Sequence, residues 1–103
     1  MNNKLYSQVK EDLLEQLRLK GADTPTFINL VEDYMKLWKM KELLAEDVAK
    51  NGVRLPYDNG GGQRGFKENP SVKLQLNVNA QMLKILAQLK ISTDNIALED
   101  DEL

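Results

Sequence analysis

The chain has 103 residues, with 14 Lys and Arg against 16 Asp and Glu, and contains neither His nor Cys. That length allows one domain with a modest core, and the missing residue types exclude disulfides, thiol nucleophiles, imidazole bases, Cys/His zinc sites and haem ligands. No apolar run approaches the length of a membrane span and no signal-type block follows the start, so the expectation is a soluble intracellular protein, not an enzyme and without a cofactor.

The formal net charge of -2 hides an asymmetry. Asp94, Glu99, Asp100, Asp101 and Glu102 carry five negative charges with no base among residues 92–103, which leaves +3 on residues 1–91. The body is mildly basic and the end acidic, which permits a duplex partner without demanding one.

Residues 4 to about 19 place Leu5, Val9, Leu13 and Leu17 at spacings of four, joined by Tyr6 and Leu14, and predict an amphipathic helix that Gly21 ends. Glu15 and Arg18 stand three apart and offset the repulsion between Glu11 and Glu15. Asp23-Thr24-Pro25 is a helix-start signal, a capping oxygen before a proline whose missing N–H costs nothing in the first turn. From Pro25 to Lys50 the chain has no Gly and no further Pro, and Asn51-Gly52 supplies the stop. The apolar stripe of this second helix (Phe27, Leu30, Val31, Tyr34, Leu37, Trp38, Leu44 and Val48, widened by Met35, Met40 and Leu43) is broad enough to suggest contact with both its own chain and a neighbour.

Residues 51–69 hold five of the six glycines, four of them at 60, 61, 62 and 65, and show no helical period, which predicts a flexible Gly-rich loop or exposed excursion. Val53 to Tyr57 is a short, partly apolar run that can pair or pack, and Pro56 argues against a central strand. Asn69-Pro70 repeats the cap-plus-proline signal. Val72, Leu76, Ala80, Leu83, Leu86 and Ala87 then follow helical spacing. The alternation of Val72, Leu74, Leu76 and Val78 with polar residues also fits a strand, but Leu74, Val78, Met82, Ile85 and Leu89 complete a second helical stripe and favour a helix. Two apolar stripes on one helix again point to self-association. Ile91 to Asp94 can cap one further turn over residues 96–98, with 99–103 as a fraying acidic tail.

Little in the sequence carries chemistry. The stretch Gly60 to Gly65 lacks the strand, helix and Lys-Ser/Thr context of a phosphate loop. Glu32-Asp33, Glu46-Asp47 and Asp100-Asp101 are adjacent, so on a helix the members of each pair diverge by about 100°. Glu42 and Glu46 share a face and read as a solvated one. A metal-dependent enzyme built on Glu42, Glu46 and Asp47 is a remote rival. Lys36, Lys39 and Lys41, followed by Lys50 and Arg54, form the densest positive region, and Arg64 and Lys67 lie within reach of a DNA backbone from the loop. The candidates for nucleic-acid contact are therefore Lys36, Lys39, Lys50, Arg54, Arg64 and Lys67. Tyr34 and Trp38 read as core or interface anchors, and Tyr34, Trp38, Leu74, Val78, Met82 and Ile85 are the candidates for an oligomer interface.

The order of these features resembles a known family. A long helix with Tyr34, Leu37 and Trp38 ends at Val48-Ala49-Lys50-Asn51-Gly52, and a glycine-bearing segment leads to Lys67-Glu68-Asn69-Pro70-Ser71. The next helix finishes Met82-Leu83-Lys84-Ile85-Leu86-Ala87-Gln88-Leu89-Lys90-Ile91-Ser92. Over about residues 27–96 this pattern is similar to the short, helical branch of the phage terminase small subunits. Relatives often close the last helix with Leu-Gly-Leu-Thr-Pro, where this chain has Leu89-Lys90-Ile91-Ser92-Thr93, and the basic tail extension of some relatives is replaced by acid. The resemblance implies a ring-forming, non-catalytic subunit that recognises double-stranded viral DNA in the host cytoplasm and brings it to the large ATPase-nuclease subunit.

The resulting expectation is an all-α chain of three principal helices with a Gly-rich loop between the second and third, oligomeric. Residues 1–98 form the oligomerisation and DNA-packaging adaptor domain, and 99–103 the tail. Its rival is a structural homo-oligomeric connector or scaffold protein without DNA binding.

Overall fold

The computed structural model describes residues 3–58 and 60–91. Three helices, α1 (Asn3–Leu19), α2 (Pro25–Asn51) and α3 (Pro70–Gln88), are joined to one antiparallel hairpin of β1 (Arg54–Asp58) and β2 (Arg64–Glu68), in the order α1-α2-β1-β2-α3. The expected all-α fold is thus corrected. Where a Gly-rich loop was expected over 51–69, ten residues form two paired strands. The further turn expected over 96–98 and the acidic tail lie outside the described residues.

The helices begin and end where local chemistry requires. At the start of α2, Pro25 occupies the first turn, but the Thr24 side chain makes no capping hydrogen bond, so the expected oxygen cap is not used. At the start of α3 the cap is real: Asn69 Oδ1 accepts from the Ser71 N–H at 3.0 Å. Helix α1 closes through bonds from Ala22 N–H to Leu17 O (2.8 Å) and from Gly21 N–H to Arg18 O (3.0 Å), with Gly21 at φ +67°. That is a left-handed C-terminal cap, for which glycine carries no side-chain penalty.

Helix α2 is the central element, packed against α1 on one side and antiparallel α3 on another. Leu13 and Leu17 of α1, Val31, Met35 and Trp38 of α2, Val78 and Met82 of α3, and Leu89 form the buried core. Leu17, Val31 and Met35 are completely enclosed, each contributing about 1.5–3 kcal/mol by leaving water. The Tyr6 ring meets Trp38 edge-on at 5.6 Å between centroids, and Lys10 pairs with Glu32 at 2.9 Å, which fixes α1 along the first half of α2. Beyond Trp38, α2 contributes no fully buried residue and runs on beside α3. At 27 residues it is about 40 Å long, and the chain's radius of gyration of 18.6 Å exceeds the roughly 13 Å of a compact domain of this length. The fold is therefore a three-helix core at one end and a two-helix stalk with a hairpin at the other.

The hairpin follows from its register. Arg54 stands opposite Glu68, Leu55 opposite Lys67, Pro56 opposite Phe66, Tyr57 opposite Gly65 and Asp58 opposite Arg64. The Asn69 N–H donates to Val53 O at 2.8 Å and extends the ladder by one pair. Because hydrogen-bonded and open pairs alternate, Pro56 falls at an open pair, where a missing N–H faces away from the partner strand. Pro56 therefore excludes only a central strand, and this ribbon has none. At the tip, Gly60 (φ +79°) and Gly62 (φ +82°) turn the chain, and the Asp58 carboxylate accepts from the Gly60 N–H at 2.8 Å.

Candidate nucleic-acid interface

The six basic candidates fall into two groups. Lys36, Lys39 and Lys50 are exposed on α2, and their spacing keeps them within about 60° of one another over roughly 21 Å of helix. The Lys39 ammonium sits 4.6 Å from the centre of the Tyr6 ring, a cation–π contact at the α1–α2 seam. Lys41, between them in sequence, turns away and donates to Asn79 Oδ1 at 2.9 Å, binding α2 to α3. Arg54, Arg64 and Lys67 are exposed on the hairpin. Arg64 is paired with Asp58 at 3.2 Å and Arg54 stands opposite Glu68, so the hairpin carries both signs. The α2 lysines form the more continuous positive line.

The base of the hairpin is held by a polar clamp. Asp47 accepts from Asn51 Nδ2 (2.7 Å), Asn69 Nδ2 (2.9 Å) and Ser71 Oγ (2.7 Å). These three bonds, the Ser71 hydroxyl foremost, hold the Asp47 carboxyl below the ordinary carboxylate range, with a smaller contribution from the Lys50 charge. Asn69 is buried and also donates to Gly52 O at 2.9 Å, so a single side chain joins the end of α2 to the start of α3. Asp47 is engaged in this clamp rather than turned toward Glu42 and Glu46. Among the described residues no group of three or more Asp and Glu could hold a metal ion. The glycine stretch is a hairpin turn leading into a strand, with no helix N-terminus behind it for a phosphate.

Of the interface candidates, Trp38, Val78 and Met82 lie in the chain's own core, Tyr34 and Ile85 are half-buried against it, and Leu74 is exposed. Burial also pushes the Tyr34 phenol up from its ordinary value. The two stripes of α3 separate in part, with Leu74 of one exposed and Leu86 of the other half-buried against the core. Val78, Met82, Ile85 and Leu89 turn inward, whereas Leu76, Ala80, Leu83 and Ala87 are exposed, Leu76 lying about 160° around the helix from Val78. The sequence displayed both stripes, and only packing shows which one the chain keeps for itself. On the hairpin, Phe66 is 67% exposed and, with Pro56, Tyr57, Asp58, Arg64 and Gly65, lines an open hollow of about 610 Å³. No local sequence signal marks this hollow, which exists only once the run that includes Pro56 and Tyr57 pairs with residues 64–68.

The described residues form an elongated helical chain with an exposed basic line on α2, a projecting hairpin and an outward apolar face on α3. A family model described as phage terminase, small subunit, matches residues 5–96, most of the chain, and the chain belongs to that family. It is accordingly a non-catalytic subunit. No curated protein and no solved structure matches it. Among the described residues no helix is long and apolar enough to cross a membrane.

Proposed function

We propose that this terminase small subunit assembles with copies of itself, binds double-stranded viral DNA in the host cytoplasm and presents it to the large ATPase-nuclease subunit during genome packaging. The family match over residues 5–96 carries this reading. Two features of the fold support it. The Lys36, Lys39 and Lys50 line is long enough to meet several phosphates of one duplex, and a contact of this kind positions DNA without reading its sequence. The outward stripe of Leu76, Ala80, Leu83 and Ala87 offers an apolar face to a neighbouring subunit. Several subunits then sum weak individual contacts by multivalency.

The test is duplex binding followed over a range of salt concentrations. Lys36→Ala, Lys39→Ala and Lys50→Ala, combined, are expected to weaken binding and to reduce the slope of log affinity against log salt by about one for each phosphate no longer neutralised. Unchanged affinity and slope would refute this assignment of the DNA contact, and absence of any DNA binding by the unmodified protein would favour a structural connector.

A further inference from the structure

Among the described residues the hairpin has only two strands, so each has one edge without a partner strand. The two edges are not equivalent. The alternation set by the Asn69–Val53 bond turns the outward backbone groups of β1 to Arg54, Pro56 and Asp58, and those of β2 to Arg64, Phe66 and Glu68. Pro56 removes the central donor of the β1 edge, which blunts it. The β2 edge keeps all three donors and carries the most exposed aromatic side chain of the hairpin, Phe66.

We propose that β2 pairs with β2 of a second copy of this chain, antiparallel and centred on Phe66, to make a four-stranded sheet across a two-fold axis. The sequence Arg64-Gly65-Phe66-Lys67-Glu68 is charge-complementary to its own reverse. In the register that overlaps all five residues, Phe66 meets Phe66 of the second copy and each Arg64 meets a Glu68. The charges already within each hairpin extend the match. Across the four strands one row runs Arg54, Glu68, then Arg64 and Asp58 of the second copy, alternating in sign at every step. The symmetry-related row does the same. Between the rows the two Phe66 rings lie side by side with a Pro56 at each end. The opposite face of β2 is already occupied at Gly65, where the Tyr57 ring lies so close that an added Cβ would come within 3.0 Å of its hydroxyl. A two-stranded ribbon standing clear of the helices gains the additional strands it needs for stability of its own.

This contact goes beyond the packaging reading and does not depend on DNA. Its test uses two charge variants of the full chain. Arg64→Glu gives an edge with acids at both ends and Glu68→Arg an edge with bases at both ends, so each variant repels itself. Mixed, every cross-copy pair is opposite in charge again, and association through the hairpin is expected to be about ten-fold tighter in the mixture than in either variant alone. An effect on hairpin folding cannot produce that rescue, because mixing changes no chain. As a second readout, Phe66→Cys introduces the only cysteine. A hydrogen-bonded antiparallel pair sets Cα atoms about 5.5 Å apart, within disulfide reach, so this variant is expected to oxidise to a dimer while exposed Lys73→Cys does not. A mixture no tighter than its components, or a Phe66→Cys variant that cross-links no faster than Lys73→Cys, would overturn the proposal. Cross-linking that persists in a protein without DNA affinity would overturn the packaging reading instead.

Discussion

The ammonium of Lys20 donates to the backbone carbonyl of Lys90 at 2.8 Å, and to that of Leu89 at the same distance, tying the end of α1 to the end of α3. The carbonyls it reaches lie where α3 has run out of helical partners, in a left-handed cap closed by Ile91 N–H to Leu86 O and Lys90 N–H to Ala87 O. Lys90 holds the left-handed position of that cap at φ +57°, among the described residues the only non-glycine with positive φ. Gly21 holds the same position at the end of α1.

Lys90→Gly should therefore stabilise the protein. Removing the Cβ penalty of the left-handed conformation is worth about 1 kcal/mol, or a rise of about 5 °C in Tm for a domain of this size. Gly21→Ala should lower Tm by a similar amount through its backbone alone, since nothing lies within 4 Å of the added Cβ. Thermal unfolding by circular dichroism measures both, and a Lys90→Gly variant with unchanged or lower Tm would contradict the strain.

Asn69→Ala should be more damaging than its single-atom contacts suggest. It removes the cap on Ser71 and the donor to Asp47 and Gly52 from a side chain that is only 1% exposed, a loss of about 2 kcal/mol. Asn69→Asp keeps the capping acceptor but sets a carboxylate against Asp47. Denaturant midpoints should place it no higher than Asn69→Ala.

The Asp47 clamp gives the stability a specific pH dependence. Its folded carboxyl lies below the ordinary 3.8, so the stabilisation is fully present above that value and is lost as pH falls through the folded value. Asp47→Asn should lower Tm at neutral pH, and the gap to the unmodified protein should close as the solution is acidified below about pH 4. A gap that stays constant into acid would show that the charge of Asp47 is not what the clamp uses.

Gly65→Ala should displace the Tyr57 ring, because the new Cβ meets its hydroxyl at 3.0 Å and Cε1 at 3.1 Å. The ring is the free end of a side chain, so the cost is modest, within about 1 kcal/mol. In NMR spectra the Gly65 α-protons should be shifted upfield by the ring in the unmodified protein, and that ring-current shift should vanish at position 65 of the variant. Unshifted Gly65 α-protons would contradict the stacking.

The helices were legible because their signals are local. Pro25, Asn69-Pro70, Gly21 and Gly52 mark boundaries with covalent properties of single residues, and the spacing of Leu13, Leu17, Val31 and Met35 marks the apolar faces of α1 and α2, whereas on α3 two stripes compete and packing alone turns Val78 and Met82 inward. The hairpin was not legible, since glycines at 60, 61, 62 and 65 and a proline at 56 each disfavour a strand when read alone. What rescues the strands is pairwise: Tyr57 covers Gly65, Asp58 meets Arg64, and Pro56 falls where no N–H is needed. Those relationships exist only once a register is chosen. The basic candidates were visible as residue types, but their division into a lysine line on α2 and a charge-balanced hairpin depends on which side of each element faces out. Lys41, a neighbour of Lys39 in sequence, is drawn to Asn79 instead.

If copies of this chain assemble and engage duplex DNA together, as proposed, the mass of the particles in solution must respond to DNA. The most direct measurement is the solution mass by light scattering, with and without duplex DNA, at low and physiological salt. The expected result is a closed multiple of the 11.7 kDa chain that gains mass when DNA is added and sheds it as salt rises. A monomer whose mass is indifferent to DNA at both salt concentrations would contradict it.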